Sequence, residues 1–397
     1  MLYRADEKTG QELSILGYGC MRFPRKASGG VDMELTEQLI ARAVELGVNY
    51  FDTAYIYPGS EEALGSILEK RGLRDRVLVT SKLPHARVKK PEDATKLFET
   101  SLARLRTDHI DYYLIHNLVS FKQWQRLLDM GITEWISAQK AAGRIRRRGF
   151  SFHGTLQEFE KIIDSYDWDF CQIQYNYMNE HYQAGVEGLH MAAERGMPVI
   201  IMEPLLGGRL ANALPRSAVE LLKEADATAS PASWGLRWLW NQPEVTVVLS
   251  GMNSMEQLQD NCAVASEACV GCLDEAGQEL IERVRGEVSR SYKVPCTGCA
   301  YCMPCPKGIN IPATFAAYNE SYGFSWFTGA YHYYVSAGLS SGAELHLPSE
   351  CVGCGHCVKC CPQGIDVPAR LVEVRRRLQP PGFKPAARAV NAIMRRL

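Results

Sequence analysis

From residue 15 to about residue 262, short apolar runs alternate with stretches whose apolar side chains recur every three or four positions. The runs cover 15–19, 48–52, 77–81, 112–115, 145–150, 170–174, 198–202 and 245–249. They carry the β-branched and aromatic residues that suit a buried strand. Between them, 36–46 places Leu39, Ile40, Ala43 and Val44 on one helical face, and 62–68, 92–105, 124–142, 156–165, 186–195, 217–224 and 231–241 repeat that pattern. A further helix opens at 255–261. Alternation of strand and helix forces parallel strands joined by helical crossovers. Eight such units in about 250 residues predict an α/β fold of the closed (β/α)8 type, a TIM barrel. An open doubly wound sheet is the alternative, but the first strand is followed by GYGCMRFP. That segment lacks the glycine-rich turn an open dinucleotide-binding sheet would carry.

The rhythm stops near residue 275, so the barrel is expected to span 1–275 and a connecting helix 276–295. A cysteine-rich domain is expected over 296–375 and a basic, solvated C-terminal tail over 376–397. An insert at 318–348, rich in Tyr, Phe, Trp and Gly, reads as packing cover or a lid. Composition adds exclusions. Hydrophobic residues are 46% and charged residues 22% of 397, ordinary values for a globular chain. A net charge of -1 argues against nucleic acid as a partner. No apolar run reaches the ~18 residues of a membrane span. The opening MLYRADEKTGQE has no apolar core of a secretory signal, so the expected location is cytoplasmic.

Of 14 cysteines, nine fall after residue 295. Clustering of this kind in a large chain favours metal over disulfide. Cys296, Cys299, Cys302 and Cys305 form CTGCAYCMPCP, and Cys351, Cys354, Cys357 and Cys361 form CVGCGHCVKCCP. Two-residue gaps let three thiolates of one loop converge on three irons of a cubane. Structural zinc on Cys-x2-Cys pairs is the alternative. The arrangement resembles bacterial-type ferredoxins with two [4Fe-4S] clusters. The second motif has that family's spacing throughout, whereas the first has one residue fewer before Cys305. The resemblance implies crosswise ligation: Cys296, Cys299, Cys302 and Cys361 on one cluster, Cys351, Cys354, Cys357 and Cys305 on the other. Cys360 is left over as a plain thiol, Cys269 and Cys272 as an isolated pair of free thiols, and Cys20, Cys171 and Cys262 as small buried hydrophobes.

Catalytic groups of a barrel stand at the C-terminal ends of its strands. Asp52, Lys82 and His116 close successive apolar runs, and Tyr57 follows Asp52 by five residues. A buried Lys needs a partner, which Asp52 supplies. Its charge would favour the phenolate of a nearby tyrosine, tuning that phenol to donate a proton to a carbonyl oxygen. FDTAYIY, SEEALG, TSK and YLIH together resemble the aldo-keto reductase superfamily, over about residues 10 to 262. By that resemblance Asp52, Tyr57, Lys82 and His116 are the catalytic tetrad, Tyr57 is the general acid, and NADPH lies across the barrel mouth. Ser151, Gln172, Met202, Gly251 and Asn261 fall at the family's cofactor-binding positions. Ser151, Gln172 and Asn261 keep the family residue. Phe152 replaces an asparagine, Met202 a tyrosine that stacks on nicotinamide, and Gly251 and Gln257 a Lys and an Arg that grip the 2′-phosphate. Without those cations, weak discrimination for NADP is expected, with NAD or another redox cofactor as alternatives.

The whole pattern resembles ferredoxin-fused aldo-keto reductases. It implies an oxidoreductase that couples hydride and proton chemistry in the barrel to one-electron transfer through the clusters. Its substrate would be a small carbonyl or related compound, with a redox protein as a second partner. Hydride carries two electrons and a cluster one, so a converter is needed. A flavin, in the mouth or brought by a partner, would serve. The alternatives are an electron-transfer protein or a redox sensor whose barrel only docks a cofactor or partner.

Overall fold

The computed structural model describes residues 1–323, 325–337, 345–383, 385 and 387. It falls into two compact units, Met1–Pro204 with Ala232–Glu275, and Leu205–Pro231 with Ala276–Leu397. The first unit opens with an antiparallel hairpin, β1 (Tyr3–Asp6) and β2 (Gln11–Ser14). Eight parallel strands follow: β3 (Leu16–Gly19), β4 (Tyr50–Asp52), β5 (Leu78–Leu83), β6 (Ile110–Leu118), β7 (Ile145–Phe152), β8 (Phe170–Gln174), β9 (Val199–Met202) and β10 (Val245–Ser250). They close in chain order, β10 pairing with both β9 and β3. This is the predicted (β/α)8 barrel.

The interior is filled, as alternation along each strand requires. Tyr50, Leu78, Tyr112, Leu114, Phe170, Ile200, Val247 and Leu249 point inward, and Leu13 of the hairpin joins them. Gly17 belongs to this layer by necessity, since a Cβ there would lie 2.7 Å from the Leu249 side chain. The other strand faces and the inner faces of the helices make the larger core, including Leu39, Ile40, Phe98, Trp124 and Leu189.

Two sequence readings change. The hairpin was not expected, because YRAD and QELS are largely polar and exposed. The single helix expected over 124–142 is two, Phe121–Leu128 and Ile132–Ala141, broken where Gly131 takes φ 73°.

The second unit takes up the helix Glu275–Ser291 from Ala276 on, and helices Ile311–Gly323, Trp326–Ser336 and Val367–Leu378 surround a separate core. Leu205–Pro231 is tied into it: Arg209 Nη1 donates to the Cys296 carbonyl at 2.6 Å, and Tyr292 Oη to the Ala213 carbonyl at 2.9 Å. The aromatic insert is helical in its described part. Its helices approach so closely at Gly329 that a Cβ there would meet the Ala317 carbonyl at 2.5 Å. Tyr318, Ala330 and Tyr333 share one apolar cluster with Cys296, Cys302 and Cys357. Insert residues 324 and 338–344 and tail residues 384, 386 and 388–397 lie outside the described residues. Among the described residues no helix is long and apolar enough to cross a membrane.

Candidate functional site

Asp52 ends β4, and Lys82 and His116 lie near the ends of β5 and β6. Neighbouring parallel strands place all three on the same end of the barrel, and each is nearly fully buried. Lys82 Nζ donates to Asp52 Oδ1 at 2.5 Å and to the Thr53 carbonyl at 2.8 Å. Gln172, on β8, donates from Nε2 to Asp52 Oδ2 at 3.1 Å. Tyr57 comes from the turn after β4. That turn is pinned because Thr53 and Ser60 hydroxyls pair at 2.7 Å while Ser60 Oγ donates to the Cys20 carbonyl at 3.0 Å. Gly59, at φ 74°, then starts the helix Ser60–Arg71. The result sets the Tyr57 ring 5.0 Å from Lys82 Nζ and edge-on to His116, with ring centroids 5.9 Å apart.

Electrostatics follow from burial. Desolvation raises the Asp52 carboxyl above its usual range, opposed by the Lys82 charge and hydrogen bond and by Gln172. Desolvation, with the Lys82 charge beside it, holds His116 well below the ordinary imidazole range. His116 is therefore neutral at pH 7. His85 and His153 lie close enough to bear on its charge. Burial drops each of them to about 4. Among the described residues, Nδ1 of all three imidazoles and Oδ1 of Asn117 are buried without a hydrogen-bond partner. Such atoms cost free energy unless something polar meets them, so this end of the barrel fits a polar ligand. Sequence reasoning did not single out His85. Its signal was its place three residues beyond Lys82, just past the end of β5.

The residues expected to hold a cofactor divide. Ser151 is buried on β7, and its hydroxyl accepts from the Asn117 amide at 2.7 Å. Met202 ends β9, partly buried against the inner cluster. Gly251 directly follows β10. Gln172 Nε2 is bonded to Asp52, and Asn261 Nδ2 donates to Ser250 Oγ at 3.0 Å.

In the second unit the cysteines surround two cavities. Cys296, Cys299, Cys302 and Cys361 line one. Cys305, Cys351, Cys354 and Cys357 line another, which Cys302 also borders. Gly298 and Gly353, inside the first gap of each motif, take φ of 72° and 66°, curling each loop around its cavity. Four thiols about each cavity form a donor set that fits a cubane cluster. Burial pushes the Cys302 thiol up to about 12, so the thiolate needs a cation such as iron beside it. Cys360 lines neither cavity. Cys269 and Cys272 are joined as a disulfide, where the sequence reading left two free thiols.

These geometries agree with comparisons to known proteins. Residues 15–270 match the Aldo/keto reductase family, and residues 295–365 match the 4Fe-4S dicluster domain. The chain belongs to the aldo/keto reductase family and carries a C-terminal 4Fe-4S dicluster domain. It is an oxidoreductase by that membership. Methylglyoxal reductase YeaE of Escherichia coli is 30% identical over 251 residues, 61% of this chain and 84% of that protein. An aldo-keto reductase from Klebsiella pneumoniae, solved in complex with NADPH, superposes with a TM-score of 0.59 at 23% identity, covering 72% of this chain and 96% of that one. Aldo-keto reductase AKR11C1 from Bacillus halodurans gives the same values. At that identity the two structures speak for the fold alone.

Proposed function

We propose that this chain reduces a small carbonyl compound, or oxidises the corresponding alcohol, at the mouth of the barrel. The C-terminal domain would hold two [4Fe-4S] clusters, which would supply one-electron exchange with a redox protein partner. The observation that carries the reading is Tyr57 held between the Lys82 ammonium and the His116 imidazole. The NADPH complex of the Klebsiella pneumoniae protein supports a nicotinamide coenzyme, and the name of the Escherichia coli relative supports a small carbonyl substrate.

A nicotinamide coenzyme, when bound, supplies or accepts the hydride. Tyr57 gives its phenolic proton to the carbonyl oxygen, and Lys82 stabilises the phenolate that remains. Asp52 holds Lys82 in place. His116, kept neutral, orients the carbonyl oxygen without competing for the Tyr57 proton. Ser151, Gln172, Met202, Gly251 and Asn261 flank the coenzyme in this reading. Cys296, Cys299, Cys302 and Cys361 hold one cluster, and Cys305, Cys351, Cys354 and Cys357 the other. Linking paired to single electrons requires a converter, a role a flavin fills.

The test is protein purified without oxygen. Iron and sulfide in equal amounts, with cluster absorbance, are expected, and any released flavin is read in the same spectrum. Zinc in place of iron would remove the clusters. With NADPH or NADH and a panel of small carbonyls, Tyr57→Phe should lose roughly 10²–10⁴ in kcat. An unchanged kcat would take Tyr57 out of the mechanism. Clusters that reduce normally in a wild type inert toward every carbonyl would favour the electron carrier or redox sensor.

A further inference from the structure

Neither Gly251 nor Gln257 offers a cation to a bound anion. The fold brings one to the same place from a different loop. β3 and β10 are adjacent parallel strands, with Ser250 opposite Tyr18. Residues just beyond their ends therefore meet on the face of the barrel that carries Asp52 and Lys82. β3 runs directly into the turn Cys20–Arg22, and the side-chain stem of Arg22 lies along Gly251. A Cβ at position 251 would sit 3.2 Å from Arg22 Cβ, 3.3 Å from Cδ and 3.5 Å from Cγ. The glycine is what leaves room for the arginine.

Arg22 is exposed, and among the described residues its side chain makes no hydrogen bond, ion pair or cation–π contact. Arg25, three residues further along the same loop, is occupied by the Gly29 and Pro58 carbonyls. The platform beneath Arg22 is fixed. Tyr18 Oη donates to the Met252 carbonyl at 2.5 Å, and Gln257 Oε1 accepts from the Asn253 amide at 3.0 Å. The Gln257 amide oxygen is thereby spent on its own loop, while the Arg22 guanidinium is unpaired among the described residues.

We propose that Arg22 is the charged donor to a phosphate of the coenzyme, positioned by its stem over Gly251. The proposal rests on the coenzyme reading above. A guanidinium is the side chain best shaped for two parallel hydrogen bonds to phosphate. In closed (β/α)8 barrels the loops after the last two strands are where phosphate sites gather, and Gly251 opens the last of these loops. A dinucleotide presents phosphate from two sources, the 2′-phosphate of NADPH and the diphosphate bridge common to NADPH and NADH.

The test is fluorescence titration of NADPH and of NADH into the anaerobically purified full chain, as wild type, Arg22→Gln and Gly251→Val. Arg22→Gln should weaken NADPH tenfold or more and flatten the salt dependence of its Kd. NADH binding left unchanged assigns the contact to the 2′-phosphate, and an equal loss for both assigns it to the diphosphate bridge. Gly251→Val, which evicts the stem with Arg22 still present, should reproduce the same selective pattern. An unchanged visible spectrum and urea midpoint exclude misfolding as the cause. Wild-type affinity for both coenzymes in Arg22→Gln overturns the proposal with the coenzyme reading intact. A wild type that binds neither coenzyme overturns both.

Discussion

Replacing Lys82 by Met isolates the buried charge pair on which the site depends. Methionine keeps most of the stem volume, so packing changes little and the charge is what is lost. Asp52, 4% exposed, would then lose the Lys82 donor at 2.5 Å and retain the Gln172 amide at 3.1 Å. Breaking a buried pair on one side costs about 3–5 kcal/mol, since an uncompensated charge is left behind. The carboxyl can escape part of that cost by taking up a proton. Burial already raises it, and without the ammonium it rises further. An acid raised in the folded state keeps a proton that the unfolded chain releases above about pH 4. Stability is then lost as pH climbs from that value through the raised one, at up to about 1.4 kcal/mol per unit. Lys82→Met should therefore be far less stable than wild type at pH 8 and much closer to it at pH 5. Adding Asp52→Asn removes the stranded charge and should restore several kcal/mol at pH 8 with little effect at pH 5. Urea unfolding of the three proteins at both pH values reads this directly. Parallel pH profiles, with the double variant no more stable than the single, would refute the reasoning.

Cys305→Ala and Cys361→Ala should each lower iron content by about half, by stripping one ligand from a different cluster, whereas Cys360→Ala should leave iron unchanged; metal analysis decides, and iron loss from Cys360→Ala alone would reverse the assignment. Acid should destabilise the barrel between about pH 6.5 and pH 4. His85 and His153, each held at about 4 in the fold, bind protons first in the unfolded chain, at a cost on the order of 3 kcal/mol apiece. Urea midpoints measured across that range should fall less steeply for His85→Asn/His153→Asn, and identical slopes would count against burial as the cause.

Much of this protein was legible in local pattern. Alternation of short apolar runs with stretches of period 3.6 marked all eight barrel strands, and it placed Asp52, Lys82 and His116 near their ends. The cysteine motifs announced their chemistry because loop spacing alone brings their thiols together. What pattern left open lay in contacts between residues far apart in the chain. Gln172 meets Asp52 across 120 positions, a pairing that no local pattern announces. Cys361 shares a cavity with Cys296, and Cys305 with Cys351, only because the two motifs fold face to face. The N-terminal hairpin went unread because its polar, exposed strands have no hydrophobic period to detect. Arg22 is the sharpest case. In sequence it is one surface arginine among many, and only the closure of β10 onto β3 lays it along Gly251. Periodicity records which face of an element is buried, but the partner on that face is set by barrel closure, which no local window contains.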